Sequence, residues 1–255
     1  MRAIWTIAKT SMLENSRKQV FQVTCLLMLA VIGGSTLLSV LTEGVKLKIL
    51  KDLCMSCILF GGAVLSITLG STGIPGDVES RTLYPVIARP VTRFAYVAGK
   101  FLGAFLTASI GIAVMAAAFG VLLASFEGRL DQFLFVAAGF AVMEAAVICA
   151  VATAVSTAAT PAASAALTFL VYLFGTIKMG YLAGLVERLP GAFAKMAAGT
   201  LLHALPNLEC FNLKSGLVHH APIPAGYLAQ VALYGVCYAA LVLVVGSACF
   251  ARREV

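Results

Sequence analysis

The sequence predicts an all-α polytopic membrane protein, and three observations carry that prediction. Hydrophobic residues fill 61% of the 255 positions and charged residues only 11%, against about 25% charged in an ordinary soluble domain. Mean hydropathy is +0.99. Six apolar runs, each close to the roughly 20 residues that a hydrocarbon core about 30 Å thick requires, are separated by short polar joints. The architecture expected is six transmembrane helices, with an N-terminal interfacial helix, a cytoplasmic helix between spans 2 and 3, and short outer helices before span 6.

Taken in order, residues 1–18 alternate apolar Ile4, Trp5, Ile7, Ala8 and Leu13 with Arg2, Lys9, Arg17 and Lys18. That pattern suits an amphipathic helix lying along the headgroup layer. The start is basic enough for a signal peptide, but the following run of about 20 residues lacks an Ala-x-Ala-like exit, so it reads as a retained first helix. The first span is expected at 20–41 and the second at 53–74, ending at Pro75-Gly76. The third covers 97–125, the fourth 133–155 and the fifth 162–185. The uncharged joint STAATPAAS makes a tight hairpin of spans four and five, with Pro161 in the first helical turn, where its missing N–H costs little. Residues 186–227, interrupted by Pro190, Pro206, Pro222 and Pro224, read as an extracytoplasmic connector with two amphipathic pieces. The sixth span is expected at 228–250, before a basic tail.

The formal net charge is +7. The cations are scattered at membrane-flanking positions, which points to anionic lipid headgroups as partner and away from nucleic acid. With both termini in the cytoplasm, ten Lys and Arg lie inside and eight outside, four of the eight near the long connector. The positive-inside rule therefore favours that orientation in an inner membrane. The seven cysteines fall almost entirely within apolar runs and read as small packing residues.

The most charged joint is Asp77 to Lys100, DVESRTLYPVIARPVTRFAYVAGK, with Asp77, Glu79, Arg81, Arg89, Arg93 and Lys100. Each charge would cost roughly 2.5–3.5 kcal/mol in hydrocarbon, so the segment must face water or a protein. Gly76 is expected to break the second helix, Asp77 to cap a new one and Glu79 to complement its dipole. Arg89-Pro90 then forces an extended turn before Thr92 starts the third span. Residues 76–96 form the cytoplasmic segment, with Asp77, Glu79, Arg81, Thr82, Arg89 and Arg93 as its docking surface.

Glu79, Thr82, Pro90, Val91, Thr92, Arg93, Tyr96, Gly99 and Lys100 resemble the acidic-x-x-Thr … Pro-Val-Ser/Thr-Arg-x-x-Tyr-x-x-Gly-Lys signature of ABC type-2 export permeases. More weakly, LPNLECFN before the last span is similar to permeases near the nitrous-oxide-reductase copper-maturation branch. The resemblance implies a coupling helix seated in a groove of a separate ABC ATPase subunit. It also implies two permease copies, a homodimer on the simplest reading, and ATP and magnesium bound by the partner, with no cofactor in this chain.

The residues agree that ATP chemistry lies elsewhere. A phosphate loop requires Gly-x4-Gly-Lys-Ser/Thr, whereas Gly99-Lys100 precedes Phe101 and lacks the upstream glycine. No catalytic residue or metal ligand is assigned, and the chain is read as non-enzymatic. Glu144 is the one acidic residue well inside a span; it either lines a translocation path or makes a structural helix contact. His203, Glu209, Cys210, His219 and His220 are metal-ligand types at irregular spacing, which favours interfacial side chains over a copper or zinc site. Two rival classes stand beside the permease: an intramembrane enzyme using Glu144 or the histidines, and a non-transporting scaffold.

Overall fold

The computed structural model describes residues 2–39, 46–79, 92–127, 132–177, 181, 184, 195–196, 199–200, 204–214 and 225–252. The helices are α1 (Arg2–Arg17), α2 (Gln19–Ser39), α3 (Lys46–Glu79), α4 (Arg93–Glu127), α5 (Gln132–Ser156), α6 (Pro161–Thr176) and α7 (Ala225–Arg252), with one 3₁₀ turn at Glu209–Phe211. No strand occurs among the described residues.

Helices α3, α4, α5 and α7 are each long and apolar enough to cross a bilayer, and α1 with α2 passes that test only as a pair bent by 61°. The bend falls where the amphipathic start gives way to the apolar run. The fifth expected span, 162–185, is continuous helix only as the 16 residues of α6, about 24 Å long and short of a hydrocarbon core about 30 Å thick. Both ends of α6 have local causes. Thr160 caps it by accepting from the Ala163 N–H, with Pro161 in the first turn as expected. At the other end Ile177 turns extended, and the Gly175 carbonyl accepts from the Leu208 N–H at 2.8 Å, the bond that a longer helix would need for itself.

A second departure concerns Pro75. The sequence ends the second span at Pro75-Gly76 and gives Asp77 a new helix to cap, but α3 runs through Pro75 to Glu79. A proline inside a helix costs about 3 kcal/mol. Burial offsets it: Ile74 and Pro75 are buried and Val78 packs on the core, while Asp77 bonds to α4 instead of capping.

Small residues set the packing, as expected where lipid removes the hydrophobic drive between helices. A Cβ on Gly70 of α3 would lie 2.6 Å from the Ala152 Cβ of α5, and one on Gly103 of α4 would lie 2.5 Å from the Ser11 Cβ of α1. α3 thus sits centrally, in contact with α2, α4, α5 and α6, while α1 lies along α4. The end of the bundle where α3 leads toward residues 80–91 is called proximal below, and the opposite end distal.

Candidate functional site

The proximal site grows from one side of α4. Thr92 stands at its N-cap, accepting from the Ala95 N–H at 3.3 Å, which satisfies an otherwise orphaned donor. Arg93, Tyr96 and Lys100 follow at helical spacing, so all three share one face. Lys100 Nζ lies 2.7 Å from Asp77 Oδ2 at the end of α3, with side chains only 8% and 17% exposed. Tyr96 Oη donates to the same carboxylate oxygen at 2.5 Å. On the other flank Arg93 Nη1 donates to the Phe250 carbonyl of α7 at 3.0 Å, and its guanidinium lies over the Phe250 ring, 5.9 Å from the centroid. Tyr96 stacks on the same ring at 5.9 Å.

Behind this face, Gly99 and Gly103 admit the backbone and small side chains of α1. A Cβ at Gly99 would meet Ile7 at 2.8 Å and the Ile4 carbonyl at 3.2 Å. Four helices therefore converge at the proximal end, and both roots of the 80–91 segment are fastened to one knot of side chains. Of the residues proposed as a docking surface, Asp77 turns inward to Lys100 and Tyr96, and Arg93, though exposed, reaches back to α7. Glu79 remains exposed in the last turn of α3. Arg81, Thr82 and Arg89 lie outside the described residues. Tyr96 and Lys100 belong to the recognised signature without having been assigned a role, and the 93, 96, 100 spacing was the signal for one. Phe250, 157 residues from Arg93, gave none.

The distal half is closed by a strap, residues 204–214, that the sequence placed in an external connector. Phe211 is fully buried and lies 3.0 Å from the position of a Cβ on Gly235 of α7. Gly235 is nine residues into the span beginning at Gly226, so the strap dips about 14 Å into the bundle. Non-helical backbone at that depth needs internal partners, and the strap has them. The Asn207 N–H donates to Tyr234 Oη at 2.9 Å, Tyr238 Oη to the Ala204 carbonyl at 3.0 Å, and Tyr227 Oη to the Cys210 carbonyl at 3.2 Å. Lys214 bridges to Asp52 at 3.0 Å and Ser56 at 2.8 Å on α3. Burial holds the Cys210 thiol up at about 11, with the Glu144 and Glu209 carboxylates adding to it.

Glu144 lies under this strap, 4% exposed. Ser164 Oγ donates to the Ala152 carbonyl across the α5–α6 hairpin, and counting antiparallel from that pair sets Tyr172 opposite Glu144. Of the metal-ligand residue types singled out in the connector, Glu209 and Cys210 lie in the 3₁₀ turn of the strap, and His203, His219 and His220 lie outside the described residues. Among the described residues, no group of three His, Cys, Asp or Glu is arranged to hold a metal ion.

A bundle of long apolar helices with charged residues at both of its ends defines a multi-pass helical membrane protein. The sequence profile of the ABC-2 family transporter proteins matches residues 2–255, and the chain belongs to that family. It is accordingly a transporter permease component, of a kind that generally carries no enzyme activity itself and normally works with an ABC ATPase. No curated protein matches the chain.

Proposed function

We propose that the chain is the membrane subunit of an ATP-driven exporter, paired as a homodimer, with both termini and residues 76–96 on the cytoplasmic side of an inner membrane. A separate ABC ATPase grips that segment, binds ATP and magnesium, and drives the bundle by its own closure. The observation that supports this most directly is the proximal knot: Asp77, Tyr96, Lys100, Arg93 and Phe250 fasten both roots of residues 80–91 to α3, α4 and α7. A push on the segment then moves several helices as one body. Glu79 is the described residue presented outward for docking, with Arg81, Thr82 and Arg89 beside it in sequence. Glu144 lies on the translocation path.

The test is purification of the tagged chain from its native membrane in mild detergent, wild type beside Glu79→Arg. An ATP-hydrolysing subunit is expected to co-purify with wild type and to be lost or strongly reduced in the variant, at unchanged melting temperature. Absence of any ATPase from folded wild type would overturn the reading.

A further inference from the structure

Glu144 poses a problem of charge. It is 4% exposed, and no hydrogen bond or ion pair joins it to any described residue. Among the described residues, the titratable groups that interact electrostatically with it are neutral or acidic: Tyr172 on α6, and Glu209 and Cys210 on the strap. From α7 come Tyr234 and Tyr238, whose rings pack on the hydrophobic cluster that holds Phe211 and Val147, and to which α3 contributes Ala63 and Ile67. Two further acceptors on the elements that enclose this cluster are unsatisfied: Thr168 Oγ1, one turn before Tyr172, and Asn207 Oδ1 on the strap are buried without a partner. Unpartnered polar atoms are expensive in such a place. Every one of these groups can accept a hydrogen bond or a positive charge, and no lysine or arginine among the described residues supplies one.

We propose that Glu144 is the recognition point for a hydrophobic organic cation, which enters beneath the 204–214 strap when the strap lifts. The carboxylate neutralises the charge, Glu209 adds to the negative field, and the rings of Tyr172, Tyr234 and Tyr238 take the apolar body and offer cation–π faces. In the structure Phe211 and Leu208 are buried in the same cluster as those three rings. This assignment of substrate class rests on the permease reading above.

Tetraphenylphosphonium and tetraphenylborate test it, because they share size and shape and differ in the sign of charge. Binding of each is measured to the full chain with its ATPase in phosphatidylcholine nanodiscs, without ATP. Saturable binding of the cation is expected, with no saturable binding of the anion. Glu144→Gln should weaken the cation at least about tenfold, since it removes a buried charge partner. Phe211→Ala should speed cation binding and keep the preference for positive charge. Should Glu144→Gln fail to fold, Glu144→Asp, which retains the carboxylate, must keep that preference. Equal binding of the two ions, or a Glu144→Gln variant that binds the cation as tightly as wild type, would overturn the proposal. The measurement needs no ATP and can be repeated on the chain alone, so failure of the ATPase to co-purify remains a separate result.

Discussion

Removing the positive end of the proximal ion pair offers a quantitative check on the knot. Lys100 Nζ and Asp77 Oδ2 are 2.7 Å apart, which at an effective dielectric near 20 corresponds to about 6 kcal/mol of gross attraction. Most of that is cancelled by the desolvation of two largely buried charges, so the net value of the pair is small. The cost of breaking it one-sidedly is not small. Lys100→Met takes the ammonium partner from a carboxylate that also accepts from the Tyr96 hydroxyl, and breaking a buried ion pair from one side costs about 3–5 kcal/mol. For a chain of 255 residues, 3 kcal/mol corresponds to a melting-temperature loss of roughly 6–12 °C. Asp77→Asn with Lys100→Met removes both charges and should recover most of the loss. The assay is thermal unfolding in one detergent for wild type, both single variants and the double, read as a double-mutant cycle. A Lys100→Met variant as stable as wild type, or single effects that simply add, would refute the argument.

Three further outcomes follow. Gly103→Val should detach α1 from α4, because a Cβ there would lie 2.5 Å from Ser11; overpacking of about 1–3 kcal/mol should appear as lower stability and new protease cleavage after Lys9. Cys210 should react with maleimide at pH 8 far more slowly than a free thiol, since its thiol is held at about 11, and the rate should rise as the pH approaches that value; Tyr227→Phe, which frees the Cys210 carbonyl, should raise the rate at constant pH. Arg93→Lys keeps the charge but loses the planar group that lies over Phe250; ATPase co-purification should persist, with a melting temperature a few degrees lower.

Composition made the membrane class legible, and local chemistry made the helix starts legible. Thr92 and Thr160 cap α4 and α6 where an N-cap acceptor and a following proline or apolar run announce them. Where distant packing decided, the chain was silent. Pro75 reads as a stop because the compensating burial of Ile74 and Val78 depends on a core drawn from distant helices. On α1 the apolar residues Trp5 and Leu13 are exposed, while Ala8, Ser11 and Asn15 are buried; the close approach of Gly99 and Gly103 selects small partners over hydrophobic ones. Asp77 looks like a surface charge until Lys100, 23 positions on, is folded beside it. The strap was least legible of all, since LPNLECFNLK is polar enough to belong in water and is held in the bundle by tyrosines at 227, 234 and 238.

The two ends of the bundle are held by different chemistry, and this bears on how one could drive the other. The proximal end is centred on one ion pair that buries both partners, Lys100 with Asp77, so that end resists separation and suits transmission of force. Among the described residues the distal strap is held by five links: four hydrogen-bonded ones from residues 204–210 and the Lys214 bridge to α3. At the average of about 0.6 kcal/mol measured for polar contacts inside membrane bundles they sum to roughly 3 kcal/mol, and the burial of Leu208, Phe211 and Leu213 adds to it. Such a strap is open in only a small minority of molecules. Inverting such a ratio needs a comparable difference in binding or contact energy between the two states. A rigid proximal lever moved by an ATPase is one source of that energy; a cation meeting Glu144 only in the open state is another, and the two would act on the same strap from opposite ends.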